Sequence, residues 1–168
     1  MRDLKRSNTK LPAYKMLSEA GFEVFTPMKW ELVMEKGKKV RREVPVIKDL
    51  LFVHTEKTLL DPIVEQNDTL QYRYLKGGGY QNPKTVREVE MQRFIQAVQA
   101  SDNPCYYLPE EITPSMYGKE IRITDGPLAN CTGRLMTVRG SKVKRLLVEL
   151  PNLLTVAVTI DQAYIQLI

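Results

Sequence analysis

Seven cations crowd into a short stretch of this chain: Lys29, Lys36, Lys38, Lys39, Arg41, Arg42 and Lys48 face only Glu31, Glu35 and Glu43. Clustered Lys and Arg neutralise phosphate, because each cation set against a nucleic-acid backbone releases condensed counterions. The bland alternative is a solvated loop. Residues 1–100 carry 18 Lys and Arg against 13 Asp and Glu, while residues 101–168 carry 7 against 7, so the formal net charge of +5 is entirely N-terminal. Bond-making chemistry is poorly provided for. His54 is the single histidine and lies in an apolar run, no carboxylate pair forms an acid–base constellation, and Gly77-Gly78-Gly79 lacks the Lys-Ser/Thr that completes a phosphate loop. Cys105 and Cys131 lack C-x-x-C spacing, which indicates neither a zinc site nor a disulfide framework. The expectation is a binding protein without catalytic residues, metal or cofactor.

The elements that must hold the basic cluster follow from periodicity. Residues 11–20 read as a helix, with Pro12 in its first turn, Ala13, Tyr14, Leu17 and Ala20 on one face, and Gly21-Phe22 as a C-terminal cap. Residues 22–34 read as a strand paired with residues 40–46 across a polar turn at 35–39, a hairpin with a basic tip. Residues 50–55 suit a buried strand. Pro62 places the start of a second helix near residues 59–61, residues 70–75 read as a strand over Tyr72 and Tyr74, and Thr85 to Glu88 reads as a capping box. Val89, Phe94, Ile95 and Val98 make the apolar stripe of the helix that follows. Residues 101–114, with three prolines, read as a linker. This order predicts an α+β sandwich of one antiparallel sheet and packed helices.

With 43% hydrophobic and 27% charged residues in 168, the chain has room for two small domains. No apolar run reaches the ~18 residues a membrane helix needs and no secretory signal opens the chain, so the reading is a cytoplasmic protein with no membrane partner.

After the linker, an alternating strand runs into Asp125-Gly126-Pro127-Leu128, a short loop ends at Gly133, and a second alternating strand continues to residue 138. Gly126 supplies a positive φ and Gly133 a close approach of the new strand to the first. This stretch resembles a KOW motif. Further β-rich runs at 145–150 and 154–159, a connection at Gly140-Ser141-Lys142, and a closing segment at 163–168 complete the expectation of a small SH3-like β-barrel.

An α+β domain, a linker and a C-terminal KOW barrel resemble the NusG family of transcription elongation factors. The resemblance implies a NusG N-terminal, ferredoxin-like domain over residues 1–100, a linker at 101–114 and a KOW domain at 115–168. Phe25-Thr26-Pro27-Met28-Lys29-Trp30, the run from Lys38 to Ile47, and Leu51-Phe52-Val53 look most like UpxY-type antiterminators of Bacteroides-like bacteria, which act on capsular polysaccharide operons. Such proteins dock on RNA polymerase through an apolar surface of the N-terminal domain, and the KOW domain recruits a further partner. Where the family often has Pro-Gly-Tyr this chain has Lys48-Asp49-Leu50, so Ile47 and Leu50 become the docking candidates, with Tyr14 and Trp30 as aromatic neighbours. Each of the four has a competing reading as core. Lys38, Lys39, Arg41 and Arg42 lie on the hairpin that in the family reaches toward DNA of the transcription bubble, which makes non-template strand or leader RNA the implied ligand. The rival class is a KOW-containing RNA-binding translation or ribosome-associated factor. It predicts a basic barrel, whereas residues 101–168 are neutral overall despite Arg139, Lys142, Lys144 and Arg145.

One element falls short of the family pattern. The ferredoxin-like sheet needs a strand before the first helix, and Met1-Arg2-Asp3-Leu4 is short and polar. The expectation is that this strand is missing and that the native chain starts upstream.

Overall fold

The computed structural model describes residues 1–5, 11–74, 77, 82–136, 140 and 142–168. Its contacts divide the chain into two compact units, Met1–Thr85 and Val86–Ile168.

The first unit begins with the strand expected to be absent. β1 (Arg2–Asp3) pairs antiparallel with a later strand and bridges Leu50 on its other side. The Asp3 amide donates to the Asp49 carbonyl and the Leu4 amide to the Thr69 carbonyl, so four residues suffice to occupy an interior position. Their polarity is no obstacle: the buried Asp3 carboxylate accepts from the amides of Lys5 and Ala13. α1 (Ala13–Glu19) follows, its N-terminus capped by that carboxylate rather than by a neighbouring side chain. It ends as its sequence predicts. Gly21 has φ +88°, Gly21 N–H donates to the Ser18 carbonyl and Phe22 N–H to that of Leu17, a Schellman motif.

The long strand expected at 22–34 is two strands. β2 (Glu23–Phe25) and β3 (Met28–Glu35) are separated at Thr26-Pro27, because Pro27 has no N–H for a ladder and is itself buried. Among the described residues β3 pairs only with β4 (Lys38–Pro45), and β2 pairs with β5 (Phe52–His54). The β3–β4 turn has two residues, Lys36 at φ 47° and Gly37 at φ 78°, the signature of a type I′ turn.

α2 (Lys57–Glu65) starts earlier than expected and carries Pro62 in its interior. The first turn is anchored elsewhere: Leu60 is buried, and Lys57 pairs with Asp61, which also accepts from the Tyr72 hydroxyl. These hydrogen bonds hold the Asp61 carboxyl below its usual range, while burial pushes the Tyr72 phenol up. β6 (Leu70–Gln71) is shorter than the strand expected there, and Leu75, Gly78 and Gly79 lie outside the described residues. Among the described residues the unit has three antiparallel strand pairs, β1–β6, β2–β5 and β3–β4, with β1 joined on its other side to Leu50, just before β5, by a single bridge. α1 and α2 meet over Ala13, Leu17, Leu51, Leu60 and Leu70.

The second unit opens with α3 (Glu88–Gln99). The capping box expected from Thr85 does not form: the N-cap is Arg87, whose guanidinium pairs with Glu90. Val89, assigned to the apolar stripe, is 57% exposed, while Phe94 and Ala97 are fully buried. α3 packs on strands of this unit, and its contacts group it with the C-terminal sheet. The segment read as linker contains β7 (Cys105–Tyr107), an edge strand, and two 3-10 turns. β8 (Tyr117–Ile123), β9 (Thr132–Met136), β10 (Arg145–Leu150), β11 (Leu154–Thr159) and β12 (Ile165–Leu167) complete a six-stranded sheet ordered β12-β8-β9-β10-β11-β7. Among the described residues no ladder joins β12 to β7, so the sheet is open where a closed barrel was expected. Thr137, Val138, Arg139 and Ser141 lie outside the described residues. β10 and β11 read as continuous apolar runs because both faces are covered: Leu146, Leu147 and Val148 are buried in succession. No helix among the described residues is long and apolar enough to cross a membrane.

Candidate nucleic-acid interface

The basic cluster becomes a geometric object once the hairpin register is known. Cross-strand partners are Trp30 with Glu43, Glu31 with Arg42, Leu32 with Arg41, Val33 with Val40, Met34 with Lys39, and Glu35 with Lys38. Alternation sends successive side chains to opposite faces. The four cations singled out from sequence therefore do not form one patch: Lys39 and Arg41 share a face with Trp30, Leu32 and Met34, and Lys38 and Arg42 lie on the reverse. Arg42 is ion-paired with Glu35 across the hairpin. The Arg41 guanidinium lies 4.9 Å from the Trp30 ring centroid, within cation–π range. Leu32 and Met34, absent from the sequence-derived site, are among the most exposed apolar side chains of the described residues. Their signal was present in the alternation of Met28, Trp30, Leu32 and Met34.

The four docking candidates occupy four different environments. Leu50 is 3% exposed and fills the core, because its bridge to Arg2 draws it into the sheet interior. Tyr14 packs half-buried against the core between α1 and α2. Ile47 is half-buried in the turn that leads to Leu50, and Trp30 is exposed on the hairpin. The neighbouring Asp49 takes Arg2 on one carboxylate oxygen at 2.9 Å and Arg73 on the other at 3.2 Å, which ties this turn to β1 and to the residues after β6.

Asp125, Gly126, Pro127 and Leu128 form a loop of the second unit, and Gly133 lies beyond it in β9. Gly126 has φ +81° and lies under the Tyr164 ring, where an added Cβ would be 3.4 Å away. The Asp125 carboxylate accepts from the Gly126 amide, and Leu128 is buried. Gly133 is needed for a different contact from the one expected. A Cβ there would fall on the Leu147 carbonyl of β10, not on β8. Gln96 of α3 pins the loop from outside, donating to the Pro127 carbonyl at 3.2 Å and accepting from the Cys131 thiol, whose pKa burial pushes up. Gln96 is a role that sequence reasoning missed, since nothing in residues 86–100 announces its partner.

Comparison with known proteins adds one finding. None of the curated proteins matches the chain. The sequence profile of a family described as "Transcription termination factor nusG" matches residues 5–95, more than half of the chain and the stretch that contains the hairpin. The chain belongs to the NusG family.

Proposed function

We propose that this protein is a transcription elongation and antitermination factor that docks its first unit on RNA polymerase and sets its hairpin against nucleic acid of the transcription bubble. The observation that carries the reading is the family match over residues 5–95, which covers the hairpin, α1 and α2. The family consists of non-enzymatic transcription factors that bind RNA polymerase. UpxY-like specificity, action on polysaccharide operons in the cytoplasm, and a KOW identity for the C-terminal sheet are the finer parts of the proposal. The Gly126 turn and the close approach at Gly133 support the last of these. A further partner for that sheet completes it.

Of the docking candidates, Ile47 and Tyr14 are retained as partly exposed, and Leu50 supports the surface from beneath. The test is copurification of the full chain with RNA polymerase, followed by a runoff assay past a terminator. Wild type is expected to retain polymerase and raise readthrough, and Ile47→Glu to weaken retention at least several-fold with an unchanged melting temperature. Unchanged affinity in a folded Ile47→Glu variant removes this docking surface. Capture of ribosomal subunits in place of polymerase favours a translation factor.

A further inference from the structure

The β3–β4 hairpin has two outer edges, and they are built differently. Its two-residue turn closes on Glu35 and Lys38 as a hydrogen-bonded pair, so Glu35, Val33, Glu31 and Lys29 aim their backbone groups at β4. The Val46 amide, which donates to the Pro27 carbonyl at 2.8 Å, continues the same phase past the end of the ladder. The backbone groups of Met28, Trp30, Leu32 and Met34 therefore aim outward from β3, and those of Lys39, Arg41, Glu43 and Pro45 outward from β4. The β4 edge is guarded, since three charged side chains border it and Pro45 has no N–H to offer. The β3 edge is not. Its outward residues are uncharged, Trp30, Leu32 and Met34 are 53%, 67% and 64% exposed, and among the described residues no strand pairs along it.

We propose that β3 pairs antiparallel with β3 of a second copy of this chain, joining two hairpins into one four-stranded sheet about a two-fold axis at Leu32. Outward residues must meet outward residues, so the axis passes through a residue and not between two. With the axis at Leu32, that side chain meets its own copy, Trp30 meets Met34, Glu31 meets Val33, and Lys29 meets Glu35 on both sides of the axis. The neighbouring registers lack this match. An axis at Glu31 sets that carboxylate against its own copy, and one at Val33 sets Glu31 against Glu35 twice; like charges directly opposite destabilise a strand pair. Shifts beyond these shorten the ladder below the residues 29–35 that the Leu32 register joins. Glu35 is already paired with Arg42 of its own hairpin, so Lys29 of the second copy joins that ion pair without displacing it. The contact closes at two copies, because the outer edges of the joined sheet are the guarded β4 edges. It requires neither polymerase nor nucleic acid. Two strands of this length bury less than ~1,000 Å², which sets the contact among the weak, concentration-dependent ones.

Sedimentation equilibrium of the full chain, freed of nucleic acid, over about 1 to 500 μM covers the affinities of contacts this small. A reversible monomer–dimer equilibrium is expected. Leu32→Lys sets two cations against each other on the axis, at a side chain exposed enough for the melting temperature to stay unchanged, and is expected to weaken the dimer about tenfold or more. Lys29→Glu and Glu35→Lys are each expected to weaken it alone, and an equimolar mixture of the two variants to recover it, since the mixed pair sets opposite charges together on both sides of the axis. Leu32→Cys is expected to give a disulfide-linked dimer under mild oxidation, because the Cα atoms of a hydrogen-bonded pair stand about 5.5 Å apart, within disulfide reach. Met34→Cys, which meets Trp30 and not its own copy, is expected to link no more than the wild type with its native Cys105 and Cys131. A chain that stays monomeric over the whole range, or associates only when nucleic acid is present, overturns the proposal. So does a dimer that Leu32→Lys leaves intact, a mixture that recovers nothing, or equal linking at positions 32 and 34.

Discussion

The Met1 α-amine donates to the Leu51 carbonyl at 2.7 Å, and burial lowers its pKa from 8.0 to about 6, with Arg73 reinforcing the shift and Asp49 opposing it. At pH values between these two the unfolded chain holds more protons than the folded one, so stability rises with pH across that window. Below it both states are protonated and above it neither is. Urea denaturation is expected to show a gain of about 2 kcal/mol between the two pH limits. An N-acetylated chain, in which an amide replaces the amine, should give a flat profile; an equally sloped profile would exclude Met1 as the source. Asp3, two residues on, shows what was hidden at this scale. Its carboxylate caps α1 from ten residues away, a partnership that no local spacing announces.

The elements differ in how far their own sequence explains them. α1 ends where Gly21-Phe22 ends it, and the β3–β4 turn sits where Lys36-Gly37 can take positive φ, because both are settled within a few residues. α3 is the opposite case. Its apolar stripe was legible from residues 89–98, but its partner was not: Phe94 and Ala97 are buried in a unit whose strands begin after the helix ends. Phe94→Ala is expected to cost about 3–5 kcal/mol, read as a lower melting temperature of the unit that contains β10 and β11. A change of under ~1 kcal/mol would mean that the helix adds little to that sheet.

At the scale of the whole molecule, the contact boundary at Thr85 divides the chain before α3, not after it. A fragment of residues 86–168 is therefore expected to melt cooperatively and above one of residues 101–168, which leaves bare the β10 and β11 surface that α3 covers. Equal melting of the two fragments would return α3 to the N-terminal unit. The docking candidates divide along the same line of reasoning. Leu50 lies three residues from Ile47 and has similar hydrophobicity, yet only Leu50 is drawn inside, by its bridge to a strand from the far end of the unit.

What the residues settled by themselves was local and periodic: the hairpin, its basic content, the cap of α1, the strands after residue 116, and, from the order of those elements, the resemblance to the NusG family. A turn's φ, a Schellman cap and an alternating strand depend on neighbours a few positions apart, so the sequence displays them. Burial and pairing depend on residues tens of positions away. Only the tertiary structure therefore decided that two polar residues, Arg2 and Asp3, make a strand bonded on both sides, that Pro27 divides one expected strand into two, and that α3 packs on the later sheet. It also decided that a cluster of four cations splits into two faces, one of them lined by Trp30. Strand alternation alone would have allowed that split, but only the two-residue turn fixes which cation stands opposite which apolar side chain.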